Sequence, residues 1–155
     1  MNYQAIRAAL ETPLAAAYSA LVPAVPIYFD NLMIDDADAA EEFVDVSIQF
    51  GLTTEQTLLT SHDYIRGVIL IRVYTPKDKG PARNQTLANT AFNVIQTLNN
   101  TAKTTSGVYV RLGSIDGPSF SPTYGGTAPD AQSRRAFTPF FISRLEAGFK
   151  AQVIS

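Results

Sequence analysis

The stretch 64–75, YIRGVILIRVYT, constrains the fold of this chain more than any other. Alternation places Ile65, Gly67, Ile69, Ile71 and Val73 on one face of an extended segment, and Tyr64, Arg66, Val68, Leu70, Arg72 and Tyr74 on the other. Successive strand side chains point to opposite faces, and here both faces are substantially apolar. Such a strand belongs in the middle of a sheet, or has a partner covering its second face. Pro76 ends it, because proline has no N–H to give to the ladder.

The remaining elements follow from period and punctuation. In FVDVSIQFG, Val44, Val46, Ile48 and Phe50 alternate with Asp45, Ser47 and Gln49, the pattern of a half-buried strand. PIYFDN ahead of it is aromatic and β-branched, and predicts a short strand. Near the N-terminus, Ile6, Ala9, Leu10, Leu14, Ala17, Tyr18 and Leu21 recur at helical steps, with Asn2 as the cap. Pro13 either kinks that helix or starts a second one behind Thr12. Gly80-Pro81 opens another helix to about Asn99, with Leu87, Ala91, Val94 and Leu98 as the buried stripe and Ala88, Phe92 and Ile95 widening it.

GVYVRLGSI reads as a fourth strand and RRAFTPFFISRLEAGF as a fifth, in which Pro139 demands an edge position or a bulge. Between them lies 116–133, a stretch of 18 residues dense in Gly, Pro and Ser, and loops this long in a compact domain are usually functional or disordered. There is no internal repeat and no linker, and 155 residues suit one core. The expected fold is a single α+β domain over 1–155: an antiparallel or mixed sheet of about five strands with two helices packed on one face.

Several chemistries are excluded or disfavoured. With 46% hydrophobic and 17% charged residues the chain has the composition of a folded domain. The absence of cysteine removes disulfides, thiolate metal sites and cysteine nucleophiles. The N-terminus lacks a basic leader and has Glu11 and Pro13 in its apolar stretch, and no apolar run reaches the ~18 residues of a membrane span, so a soluble protein with no membrane partner is expected. The loop TPKDKGPAR has one glycine and a proline where a phosphate would want an N–H donor. Ser61-His62-Asp63 holds three triad residue types, but neighbours in sequence cannot converge as nucleophile, base and orienter. DDADAAEE has alanine at required calcium-ligand positions and no turn glycine. Asn84 and Asn99 stand in glycosylation-type triplets and read instead as polar residues of a helix surface. Arg134 and Arg135 lie near Phe137, Phe140 and Phe141, yet a sequence pI of about 5.3 opposes a nucleic-acid footprint. No cofactor or metal is expected.

The net charge of −2 conceals an asymmetry. Residues 1–63 hold ten acidic side chains against Arg7 alone, a balance of −9, whereas the residues from Tyr64 onward hold eleven basic against four acidic, a balance of +7. These halves either neutralise each other within one fold or join copies head to tail.

In this order of elements, YQAIRAALETPLAAAY, VPIYFDN, FVDVSIQFG and above all RGVILIRVYTPKDKG leading into ARNQTLANTAFNVIQTL resemble the tail-terminator-like proteins of long-tailed bacteriophages. The resemblance covers most of the chain up to about Asn99, and RRAFTPFFISRLEAGF matches in character only. It implies a non-enzymatic virion protein, assembled in the host cytoplasm, whose copies form a ring, typically a hexamer, on the finished tail tube. The partners implied are further copies of itself, the tail tube protein and the head-tail connector or stopper protein, with genomic DNA passing through the lumen. On this reading Asp35, Asp36, Asp38, Glu41 and Glu42 contact Arg134 and Arg135 between copies, while Phe120, Tyr124, Lys77 and Lys79 face the tube or connector. The alternatives are another neck component, such as a head-completion or stopper protein, and more remotely a small enzyme using His62.

Overall fold

In the computed structural model, which describes residues 2–30, 41–54, 64–76, 80–100, 108–120 and 140–153, helices and strands follow one another in the expected order. They are α1 (Tyr3–Ser19), β1 (Ile27–Tyr28), β2 (Phe43–Thr54), β3 (Tyr64–Pro76), α2 (Ala82–Asn100), β4 (Val108–Phe120) and β5 (Phe140–Val153). The five strands form one sheet in the order β1-β2-β3-β5-β4. β1 runs parallel to β2 and every other pair is antiparallel, so the sheet is mixed.

β3 is the middle strand, as its two apolar faces require. Its Ile65, Ile69, Ile71 and Val73 join Val44, Val46 and Ile48 of β2, Leu145, Ala147, Phe149 and Ala151 of β5, and Val108, Val110 and Leu112 of β4 in one core. Both helices cover that face: Ile6, Leu10, Leu14 and Tyr18 from α1, and Leu87, Ala88, Ala91 and Ile95 from α2. The Tyr18 hydroxyl donates to the Leu87 carbonyl at 2.7 Å, a buried bond between the two helices. Asn2 Oδ1 accepts from the Ala5 N–H at 3.0 Å and caps α1 as expected. Pro13 sits inside α1 without dividing it, so no second helix starts at Thr12. At α2 the Pro81 carbonyl accepts from the Gln85 N–H at 2.9 Å, which places the proline at the helix entry.

Four expectations are corrected. β5 is not an edge strand: it lies between β3 and β4, and Pro139 falls outside the described residues just before it. The first five residues of the 116–133 stretch belong to β4, which crosses Gly117 and Pro118 with register shifts at Leu112/Ile115 and Asp116/Ser119. Gly117 adopts φ 109°, a conformation that a side chain would strain, and an added Cβ would meet the Arg144 carbonyl oxygen at 2.4 Å. Phe92 does not widen the buried stripe of α2 but stays 37% exposed.

Asn84 is the fourth, since it is no surface residue but fully buried at 0% exposure. Its Nδ2 lies 3.1 Å from the Val73 carbonyl, 3.1 Å from Thr75 Oγ1 and 3.0 Å from the Phe141 carbonyl. The Ser143 hydroxyl donates to its Oδ1. One amide side chain thus ties α2 to β3 and β5 and satisfies polar groups that burial would otherwise orphan.

Both sheet edges are blunted. β1 has only two residues, and β4 is interrupted by its two register shifts. Asn99 of α2 also reaches β4, accepting from the Leu112 N–H at 2.8 Å and donating to the Leu112 carbonyl at 3.0 Å. These two bonds occupy backbone groups that another strand would otherwise use.

Candidate interaction surface

The helices leave the second face of the sheet uncovered, and cross-strand register divides it into three zones. At one end, Tyr28, Phe43, Tyr74 and Phe140 cover one another, with Phe43 stacked on Tyr74 at 4.3 Å between centroids and Phe140 edge-on to Phe43 at 5.3 Å. Phe43 is left 3% exposed and Ile142 2%, so this end is a small second core rather than a free apolar patch.

The middle zone is charged and paired. Arg72 Nη2 meets Asp45 Oδ2 at 3.0 Å, and Arg144 pairs with Glu146 two residues along β5. Partial burial raises the pKa of the Asp45 carboxyl, against the opposing pull of the Arg72 guanidinium.

The far end is basic, and among the described residues its cations have no acidic partner. Arg66 of β3 is in register with Lys150 of β5, and Lys150 in turn with Arg111 of β4. Adjacent strands lie about 4.8 Å apart, so three like charges stand side by side, an arrangement that weakens a sheet. Among the described residues Arg7, Arg72, Arg83 and Arg144 each hold a carboxylate, whereas Arg66, Lys150 and Arg111 hold none. The Lys150 ammonium lies 3.8 Å from the centroid of the Tyr64 ring. Tyr64 and Tyr109 both face Gln152 in register and border the row. Gly113 and Gly148 leave the floor beside it without side chains, and the result is an open groove of about 650 Å³.

The acidic side of the molecule is distributed differently. Arg7 Nη1 bonds Asp30 Oδ2 at 2.8 Å and Glu11 Oε1 at 2.9 Å, and the Ile48 N–H donates to Asp30 Oδ2 at 3.0 Å. Arg83 Nε meets both Glu42 carboxylate oxygens, at 2.9 and 3.1 Å. Asp45–Arg72 and Glu42–Arg83 each join an acid from the first half of the sequence to a base from the second, so part of the charge asymmetry is neutralised within one copy.

Partial burial works to raise the Asp30 carboxyl, but the Ile48 N–H, Arg7 and Ser47 outweigh it and hold Asp30 below the usual carboxylate range. A carboxyl depressed in the folded state contributes stability above its unfolded value of about 3.9, and that stability is lost as pH falls through the folded value. Asp45, shifted the other way, favours the folded state as it becomes protonated. Asp30→Asn should therefore show a shallower loss of melting temperature than wild type between about pH 5 and pH 2. Two parallel acid limbs would remove Asp30 from that role.

Most of the residues singled out in the sequence are not among the described ones. Asp35, Asp36, Asp38, Lys77, Lys79, Tyr124, Arg134, Arg135 and His62 lie outside the described residues. Glu41 is exposed, Glu42 is held by Arg83, and the backbone of Phe120 ends β4 opposite Ser143. The basic row was missed because 44 positions separate Arg66 from its in-register cation Arg111 across Lys150, and only register joins them. Its one sequence signal is that Arg66 and Arg111 sit at alternating positions of strongly apolar strands.

Among the described residues no group of side chains is arranged to hold a metal ion, and no helix is long and apolar enough to cross a membrane. No protein-family model and no curated protein matches the chain. Solved structures do match: one protein, whose name describes no function, superposes over 100% of this chain and 99% of its own with a TM-score of 0.69 at 21% identity. At that identity the likeness concerns the fold alone. The five-stranded sheet with both helices on one side is therefore an architecture that other chains adopt over their whole length.

Proposed function

We propose that this protein is a tail-terminator-like ring subunit of a long-tailed bacteriophage, a structural virion component and not an enzyme. The observation that carries the reading is the uncovered sheet face, aromatic and self-packed at one end and, among the described residues, basic without acidic partners at the other. A row of three cations side by side is suited to contact with another macromolecule, and the acidic first half of the sequence supplies a complementary charge in every further copy. The sequence resemblance up to Asn99 adds the assembly: a ring, typically of six copies, seated on the tail tube. There it ends tube growth and offers its other side to the connector or stopper, while the genome passes through its centre.

Purified protein added to polymerising tail-tube subunits tests this. Negative-stain micrographs should show short tubes with a ring at one end, and tube length should fall as the protein is titrated in. Tubes of unchanged length without terminal rings would overturn the reading. Binding to the portal end of filled heads, with none to tubes, would move the protein to the head-completion or stopper position.

A further inference from the structure

We infer that the row Arg66, Lys150 and Arg111 is the acceptor surface for the acidic stretch of a second copy of this chain. The inference deepens the ring reading and rests on it for the identity of the occupant. Three cations in register on neighbouring strands repel one another, so they favour any ligand that places oxyanions across the row. The two glycines beside the row leave room for such a segment to approach the sheet.

The chain itself contains the complementary feature. Residues 31–42, NLMIDDADAAEE, carry Asp35, Asp36, Asp38, Glu41 and Glu42 and no basic residue. Of these only Glu42 is engaged by a basic side chain among the described residues, Arg83. Asp30, just before this stretch, and Glu41 and Glu42, at its end, adjoin β1 and β2, while the row lies on β3, β5 and the edge strand β4. The described ends of the stretch and the row thus belong to different parts of one subunit, as a heterologous contact that closes into a ring requires.

A nucleic acid fits the row less well. The sequence pI of about 5.3 gives the subunit an overall repulsive field toward phosphates, and Lys150 already occupies a face of Tyr64 on which a base would stack.

The test is a charge exchange read by light scattering at low and high salt. Wild type should form a multimer that dissociates in 1 M salt, where the screening length is about 3 Å. One variant carries Arg66→Glu, Lys150→Glu and Arg111→Glu. A second carries Asp35→Lys, Asp36→Lys, Asp38→Lys and Glu41→Lys. Each alone should be monomeric with a native circular dichroism spectrum, and an equimolar mixture should regain the wild-type mass, because each variant offers the patch the other lacks.

A row variant that keeps the wild-type mass and salt dependence overturns the inference. So does a wild type that is monomeric in every condition, or one that binds dT20 through the row while remaining a monomer. Tube capping is read separately. A row variant that remains multimeric and caps tubes leaves the functional reading standing without this surface. A salt-sensitive multimer that depends on the row but never caps tubes keeps the surface and removes the function.

Discussion

Gly67→Val is expected to leave no soluble folded protein, and Gly67→Ala to lower the melting temperature by about 6–12 °C, the equivalent of roughly 3 kcal/mol in a domain of this size. Gly67 lies on the helix-facing side of β3, in register with Phe50 of β2 and Phe149 of β5. The two phenylalanines close over it edge to face at 5.9 Å, and Tyr3 of α1 packs edge-on against Phe50 at 5.1 Å. A Cβ on Gly67 would stand 2.4 Å from Phe149 Cζ and 2.4 Å from the Gln49 carbonyl oxygen. The ring can turn away, but the carbonyl is part of the β2–β3 ladder and cannot move without disturbing it. Gly67→Ala combined with Phe149→Leu should therefore recover only part of the loss. A single Gly67→Ala variant melting within a degree of wild type would show that the ladder yields more easily than this geometry implies.

The second large effect is expected at Asn84. Asn84→Ala removes one side chain and takes the acceptor from the Ser143 hydroxyl and an amide donor from the Val73 carbonyl, while Thr75 Oγ1 keeps only its 3.3 Å bond to the Phe141 carbonyl. Each unsatisfied buried group costs about 1–3 kcal/mol, and the relaxed sum should reach roughly 3 kcal/mol, seen as a lower midpoint in urea with an unchanged slope. Asn84→Asp is the sharper probe. It preserves shape but turns the donor end toward the Val73 and Phe141 carbonyls into an acceptor, so it should be less stable at pH 7 than at pH 4, where the carboxyl is more often protonated and can donate. An Asn84→Asp variant with no such pH dependence would mean that water or a shifted Ser143 takes over the network.

The parts of this fold legible in the sequence are those that a local pattern determines. The period of two in 64–75 placed β3 at the centre of the sheet, and the period near four with Asn2 ahead of it placed α1. Pro76 and Pro81 marked the ends of elements through their missing N–H groups. What was not legible depends on register between distant segments. The insertion of β5 between β3 and β4 has no local signature, and Pro139, outside the described residues, pointed to an edge position or a bulge. Asn84 reads as surface by residue type, yet its burial follows from carbonyls on β3 and β5 that converge on it. The basic row is hidden for the same reason: its members are scattered in the chain and adjacent only in the sheet.

The central place of β5 also fixes the order in which the chain can become native during synthesis. β2 and β3 pair as soon as both exist, but the free side of β3 waits for 140–153 before it has a neighbour, and β4 has no strand to pair with until then. The interval from Pro76 to Val153 takes roughly 4–15 s at translation rates of 5–20 residues per second. Throughout it the most apolar strand of the protein offers an open edge, the kind of exposure that favours aggregation. The basic row, with one member on each of β3, β5 and β4, is assembled by the same late event. On the self-assembly proposed above, the acceptor row is therefore incomplete until β5 has been inserted between β3 and β4.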